Sequence, residues 1–234
     1  ASCLKIPLFF HESNSYPGLV TRKMAIKINT IFISFENSKK YLSKAKTVNY
    51  GIPLRQSKIS SAQKAFELSS LGLDNSKPTI LVSGGSQGSV AINTVVSFAI
   101  LDILSMGYQI IWQTGKISYE RFATKHKNTE GLYIFAFSPE LPNMLSKCKL
   151  AITRSGAMTI AELEENRIPA ILIPLPTAAE NHQYYNALAQ KEKGVAMLLE
   201  QANLSTLTLI ESIKKMSENL EYYQNNLVSL PKNQ

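Results

Sequence analysis

From Lys77 onward the chain alternates short apolar runs with helix-length amphipathic stretches, and few folds accept that pattern. The apolar runs are Thr79–Ser83, Gln109–Gln113, Leu132–Phe135, Leu150–Thr153, Ala170–Ile173 and Ala196–Leu199. Between and after them lie Val90–Leu104, Ser118–His126, Pro139–Lys147, Thr159–Asn166, Asn181–Glu192 and Ser205–Leu220. A strand covered on both faces reads as a continuous apolar run, and parallel neighbours need a long crossover, usually a helix. The expected class is therefore α/β, a Rossmann-like, doubly wound parallel sheet. Right-handed crossovers bring the strand C-termini to one edge, where ligands bind.

Residues 1–56 repeat the style in brief. Ile6–Phe10, Ile31–Ser34 and Thr47–Tyr50 read as strands, with Val20–Ile28 as a helix between the first two. So few strands do not make a stable open sheet by themselves, so this segment reads as the tail of a larger domain. Ser57–Ser76, with a polar helix and a turn region at Gly72–Lys77, suits a linker. The expected organisation is 1–56, the C-terminal part of an N-terminal domain; 57–76, a linker; and 77–234, a ligand-binding domain.

With 234 residues, 44% of them apolar, the chain can bury a sizeable core. Its basic excess is local: residues 1–64 hold eleven of the 25 Lys and Arg but only Glu12 and Glu36 of the 17 acids. Such a face suits anionic lipid, a phosphorylated ligand or plain solvation. No aromatic-interleaved basic motif points to nucleic acid. Cys3 and Cys148 make neither a disulfide framework nor a metal-spaced pair, which reads as a reducing, cytoplasmic setting. The most apolar region, Val95–Trp112, is interrupted by Asp102, Ser105, Gly107 and Gln109, so it reads as a buried helix and a strand rather than a span of about 20 apolar residues. Ala1–Phe10 does not read as a signal peptide, being short and lacking a small-residue cleavage site.

Three strand-to-helix loops carry the chemistry. Ser83-Gly84-Gly85-Ser86-Gln87-Gly88-Ser89 combines glycines, which let a backbone approach a ligand, with the free N–H groups of a helix start. It lacks the Gly-Lys-Ser/Thr of a Walker loop and the glycine spacing of the dinucleotide fingerprint. Thr153-Arg154-Ser155-Gly156-Ala157-Met158-Thr159 is followed by Glu162, a carboxylate able to accept two hydrogen bonds from a ribose diol. The competing reading of Glu162 is an acid favoured by the helix macrodipole. The third loop, Pro174–Asn186, gathers Glu180, Asn181, His182 and Gln183. His182 has no metal-spaced partner, and no nucleophile–base triad is legible. Together the loops describe a nucleotide or nucleotide-sugar pocket.

These motifs resemble the MurG family of bacterial cell-wall glycosyltransferases. His11-Glu12-Ser13-Asn14-Ser15-Tyr16-Pro17-Gly18 resembles the family's His-Glu-Gln-Asn motif, and Gly51-Ile52-Pro53-Leu54-Arg55 its Gly-Asn-Pro-Val-Arg. Gly84–Gly88, Trp112–Gly115, Arg154–Thr159 with Glu162, and Ala179–Gln183 with Asn186 follow in the family's order. The resemblance implies a GT-B fold, with two Rossmann-like domains across a cleft. It implies inverting transfer of N-acetylglucosamine from UDP-N-acetylglucosamine to undecaprenyl-pyrophosphoryl-muramyl-pentapeptide, converting lipid I to lipid II in peptidoglycan synthesis. No metal or other cofactor is implied. Location would be cytoplasmic, peripheral on the inner membrane face.

By the same resemblance Ser86 contacts the diphosphate and Ser138 meets uracil through its backbone. Ala157, Met158, Thr159, Ile160, Ala161 and Glu162 hold uridine, with Glu162 on the ribose. Gln183 contacts the sugar, and Asn14 and Arg55 line the cleft from the N-terminal side. Ser13 and Ile52 depart from the family's Gln and Asn. The family's glycine-rich loop, with its base histidine, and its membrane-docking patch would lie before Ala1, so the catalytic base is not assigned within this sequence and His11 reads as structural. Two alternatives stay open: a non-catalytic UDP-sugar-binding chain, or half of a two-chain glycosyltransferase.

Overall fold

The computed structural model describes residues 6–54 and 66–231. Cys3, Arg55 and the helix expected early in Ser57–Ser76 lie outside those residues.

The first sheet is parallel, in the order β1 (Phe9–Glu12), β2 (Thr30–Ile33), β3 (Thr47–Asn49). Its first strand starts later than the sequence suggests. Pro7 has no N–H to give to a ladder, and the Leu8 N–H goes to Asn29 Oδ1 at 2.8 Å, so pairing begins at Phe9 opposite Thr30. Helix α1 (Leu19–Met24) connects β1 to β2. Ala25, Ile28, Ile31, Ile33 and Leu42 form a small core beneath.

The second sheet has six parallel strands: β4 (Thr79–Ser83), β5 (Gln109–Gln113), β6 (Leu132–Phe135), β7 (Leu150–Thr153), β8 (Ala170–Leu172) and β9 (Ala196–Leu198), ordered β6-β5-β4-β7-β8-β9. Side chains alternate across it. Ile80, Val82, Ile110, Trp112, Leu150 and Ile152 face one way, against α2 (Val90–Ser105), α3 (Tyr119–Lys125) and α7 (Thr206–Glu218). Leu81, Ile111, Ala151 and Leu172 face the other, against α4 (Leu141–Leu145), α5 (Ala157–Glu165) and α6 (His182–Glu192). A final helix, α8 (Leu220–Ser229), was not foreseen. The expected helix Ser205–Leu220 ends at Glu218, before Asn219, whose Nδ2 donates to Lys215 O at 2.8 Å; α8 follows, and Arg167 binds the carbonyls of Leu227 and Leu230. The apolar stretch around α2 is less buried than expected, since Phe98 and Leu101 are exposed on its outer side.

The sheets meet through specific contacts. Phe35, after β2, enters the same core as Ile160 and Leu163 of α5. Tyr16 stacks on Tyr185 with centroids 4.9 Å apart. Arg22 pairs with Glu180 at 2.6 Å. Asn186, wholly buried, accepts from Ser15 N at 2.8 Å and donates to Asn14 Oδ1 at 3.1 Å and Ser155 O at 3.2 Å.

Beside the Trp112 ring, Lys125 Nζ donates to Ser97 Oγ at 2.8 Å, which leaves the Ser97 hydroxyl to donate to His126 Nε2, also at 2.8 Å. That bond needs a neutral imidazole. Burial first, then Lys125, holds the His126 pKa below its ordinary value. Because the folded value lies below the unfolded one, stability is complete above about pH 6.5 and is lost as pH falls through that value toward the folded pKa. Thermal melts between about pH 7.5 and 5.5 will therefore show a decline that His126→Gln flattens.

Candidate functional site

The order in which the chain adds strands to the six-stranded sheet reverses between β4 and β7, which pair in parallel side by side with Ser83 opposite Thr153. From β4 the chain passes to α2 on one face, and from β7 to α5 on the other. The two loops therefore part and leave a crevice, the usual ligand position in such sheets.

The loop after β4 is built by packing as much as by openness. A Cβ on Gly88 would stand 2.0 Å from Thr114 O, one on Gly115 2.2 Å from Gln87 O, and one on Gly84 2.4 Å from Ser89 N. Gly88 and Gly115 let the loops after β4 and β5 interlock, and Gly84 lets the Ser83–Ser89 loop close on itself, so these glycines have a packing role whatever the loop binds. Gly85, at φ +89°, and Gly156 have nothing within 4 Å and are the open ones. Buried Asn93 secures the interlock, donating to Thr114 O at 2.8 Å and accepting from Trp112 Nε1 at 3.0 Å. Ser89 caps α2, accepting from Ile92 N at 3.4 Å. The N–H groups of Val90 and Ala91 have no acceptor among the described residues. Ser86 is exposed at the loop tip just before this helix start.

Gln113 was not singled out from the sequence. Its Nε2 donates to Ser83 Oγ at 3.1 Å and Gly85 O at 3.2 Å, and its Oε1 accepts from Ser138 N at 3.5 Å. It thus ties the loop after β4 to Ser138, whose Oγ accepts from Glu140 N. Arg154, also unassigned, is 8% exposed; it and Gln113 share a legible signal, a polar residue at the end of a doubly buried strand, which must find partners.

Helix α5 begins at Ala157 rather than Thr159, with Gly156 as its cap and no acid in its first turn. The macrodipole reading of Glu162 therefore fails, because that effect fades beyond the first turn. Glu162 is half-buried, its carboxylate makes no hydrogen bond or ion pair among the described residues, and burial raises its pKa. Met158, half exposed, lies four residues before it and so on the same face. Ala157 and Thr159 are half-buried. Ile160 and Ala161 are different: both are buried, Ile160 in the core, and both line a cleft against Ser34, Phe35, Gly51 and Ile52. Their side chains pack the two sheets together instead of facing the crevice, because a helix presents only one stripe to any one neighbour.

In the loop after β8, Glu180 and Asn181 both adopt left-handed backbone, at φ +50° and +56°, uncommon for residues with a Cβ. Gln183 Oε1 accepts from Leu175 N at 3.0 Å, and its carbonyl accepts from Ser155 Oγ at 2.8 Å. His182 Nδ1 donates to Ala179 O at 2.8 Å. From the first sheet, Asn14 reaches this region through Asn186 and is held by Glu12 Oε1 at 3.0 Å. His11 Nε2 donates to Gly51 O at 2.9 Å, and its Nδ1 lies 3.3 Å from Ser13 Oγ. Both ring nitrogens are therefore engaged. Among the described residues no group of three or more His, Cys, Asp or Glu side chains is placed to hold a metal ion.

Residues 79–230 match the glycosyltransferase family 28 C-terminal domain. The chain is 35% identical over 232 residues to a Carboxydothermus hydrogenoformans protein named UDP-N-acetylglucosamine–N-acetylmuramyl-(pentapeptide) pyrophosphoryl-undecaprenol N-acetylglucosamine transferase, covering 94% of this chain and 62% of the relative. The like-named Halalkalibacterium halodurans protein is also 35% identical, over 91% of this chain and 59% of its own length. The chain thus spans about three fifths of these relatives. Among solved structures it resembles Acinetobacter baumannii MurG, with a TM-score of 0.76 at 22% identity over 99% of this chain and 65% of that one. It also resembles the Neisseria meningitidis UDP-GlcNAc 2-epimerase bound to UDP-GlcNAc, with a TM-score of 0.70 at 16% identity over 100% of this chain and 67% of that one. The fold is accordingly α/β of the GT-B type.

The glycine geometry gives a pair of opposite outcomes. Gly88→Ala, strained at positive φ and driven into Thr114 O, will lower stability by about 2–4 kcal/mol. Gly156→Ala, at φ −65° with open space around it, will stay within about 1 kcal/mol of the parent in denaturant melts.

Proposed function

This chain belongs to the glycosyltransferase family 28 C-terminal domain family, and from that premise we propose that it forms the donor-binding part of an inverting N-acetylglucosaminyltransferase. The donor is UDP-N-acetylglucosamine and the acceptor the lipid-linked muramyl-pentapeptide, converted from lipid I to lipid II in peptidoglycan synthesis. Residues 77–234 are the UDP-sugar unit, residues 1–56 belong to the acceptor-side unit, and 57–76 join them.

The single observation that carries this reading is the crevice at the β4/β7 reversal, with an unpartnered half-buried carboxylate on one side and an open helix start on the other. Glu162 accepts the ribose hydroxyls. Gly156 leaves room for the nucleotide, flanked by Ala157, Met158 and Thr159, while Ile160 and Ala161 support the helix from behind. Ser86 and the free N–H groups of α2 meet the diphosphate, whose charge suits the positive end of a helix. Ser138 borders the base, Gln183 the sugar, and Asn14 with Arg55 the acceptor side. The similarity in sequence to named transferases across 94% of the chain supports the same reading.

The fold binds a diphosphate through backbone N–H groups and protein side chains, so no metal is required. No described helix is long and apolar enough to cross a membrane. Exposed Leu19, Val20 and Ile26 stand beside exposed Lys23 and Lys27 around α1, a surface suited to peripheral contact with an anionic membrane on its cytoplasmic side.

Calorimetry with UDP tests the donor site. Binding is expected with or without EDTA; a folded sample that takes up no UDP at millimolar concentration, or only with a divalent ion, refutes the reading. Glu162→Gln is expected to lose about tenfold to a hundredfold in affinity, the effect of removing charge-assisted hydrogen bonds. Glu165→Ala, an exposed site, is the control; Glu164 is unsuitable because it pairs with Lys193 at 2.8 Å. Since the ribose hydroxyls donate to the ionised carboxylate and burial raises the Glu162 pKa, UDP affinity will fall as pH drops toward that raised pKa. Transfer of labelled N-acetylglucosamine to lipid I, with the N-terminal part of a family member supplied, tests the reaction itself.

A further inference from the structure

Arg154 is a buried cation without an anion. It follows β7 directly, at the reversal point, and is 8% exposed. No acid lies within ion-pairing distance among the described residues. Its guanidinium is instead spread over neutral acceptors from separate loops. Nη1 donates to Ile173 O at 3.1 Å and Pro174 O at 2.9 Å, after β8. Nη2 donates to Ser89 Oγ at 2.7 Å and to Gln201 Oε1 at 2.5 Å, after β9. The Arg154 backbone N–H binds Ser83 O at 3.3 Å, the last residue of β4.

Proteins seldom keep an arginine buried with no carboxylate, because desolvating the charge is costly. Loops could be fastened by neutral side chains at lower cost. The charge is retained in a place where an anion completes it. The route is visible at Ser89. Its oxygen accepts from Arg154 Nη2 and from Ile92 N, so its own hydrogen is left to donate, and it finds no protein acceptor among the described residues. Ser89 is itself 8% exposed and caps the sixteen-residue α2, beside the free N–H groups of Val90 and Ala91. A guanidinium bonded to a hydroxyl oxygen polarises it and strengthens it as a donor.

We propose that Arg154 is a positioning residue for the diphosphate: its uncompensated charge, relayed through the Ser89 hydroxyl, completes the anion site at the start of α2. The proposal rests on the UDP-sugar reading of the crevice and adds to it the source of phosphate affinity. The nucleoside half of the ligand lies on the α5 side and does not depend on this charge.

The test compares UDP with uridine, by calorimetry or ligand-observed NMR, on the whole chain and on folded variants. Arg154→Gln is expected to weaken UDP by at least about tenfold while uridine stays within about twofold. Arg154→Lys, which keeps the charge but has fewer donors, is expected to bind UDP more tightly than Arg154→Gln, recovering part of the loss. Ser89→Ala weakens UDP by about fivefold or more and leaves uridine unchanged. UDP and uridine lost in equal measure in the arginine variants make Arg154 a purely structural fastener and overturn the proposal. Unaltered UDP affinity in Arg154→Gln does the same. Should Arg154→Gln fail to fold, Ser89→Ala decides: parental UDP affinity there refutes the relay. A parent chain that binds uridine but gains nothing from the diphosphate sinks this inference alone, whereas one that binds neither sinks the proposed function as well.

Discussion

The pairing of β4 with β7 is the interaction on which the rest of the molecule depends. Four register pairs, from Ile80 with Leu150 to Ser83 with Thr153, join the two halves of the six-stranded sheet. Because crossovers are right-handed, the helix after one strand covers one face and the helix after the other covers the opposite face. The backbones must diverge at Ser83 and Thr153. The crevice, the exposed start of α2 and the placement of α5 all follow from that divergence. A sheet wound in one direction throughout would have no such reversal point.

What fills the ends of the strands then decides how rigid the crevice is. Polar side chains at the tips of doubly buried strands are costly to leave unpaired, and most of them here bind loops; the Thr153 hydroxyl at the end of β7 is the exception, with no partner among the described residues. Gln113 joins the loop after β4 to Ser138, Arg154 joins it to the loops after β8 and β9, and Asn93 of α2 fastens that helix to the loop after β5. The glycines at 88 and 115 let the loops after β4 and β5 lie against one another, and Gly84 lets the first of them fold tightly on itself. Glu162 stands out against this background, as a half-buried carboxylate with no partner among the described residues. A preorganised set of donors with one acceptor held in reserve fits a ligand carrying both a diphosphate and a diol.

The first sheet belongs to the same design. It is small, and its core of Ala25, Ile28, Ile31, Ile33 and Leu42 is modest. Its hold on the larger sheet comes from Phe35 in the shared core and from Asn186, which binds Ser15, Asn14 and Ser155 at once. One wholly buried carboxamide thus connects the segment after β1 to the turn before α5. A movement of either would be felt by the other through hydrogen bonds that water cannot replace at that depth.

The sequence by itself determined the sheet. The apolar runs of β4, β5, β6 and β7 coincide with the strands in the structure; β4, β5 and β7 are buried on both faces, which leaves a pattern that depends on nothing distant, and the edge strand β6 keeps the same apolar run though only partly buried. It also marked the loops after β4, β7 and β8 as candidates for a site, since glycines and helix starts after buried strands are local signals. Boundaries set by distant partners were not legible: β1 shifts because Asn29 takes the Leu8 N–H, and α8 is held by Arg167. The roles of individual residues were likewise decided by tertiary structure. Local sequence treats the glycines of the Ser83–Ser89 loop alike, and Ile160 and Glu162 as neighbours in one motif. Only folding shows that Gly88 meets Thr114 while Gly85 meets open space, and that Ile160 faces the core while Glu162 has no partner among the described residues. The physical reason is that periodicity is a property of one segment, whereas burial, charge compensation and steric fit are properties of what other segments bring alongside it.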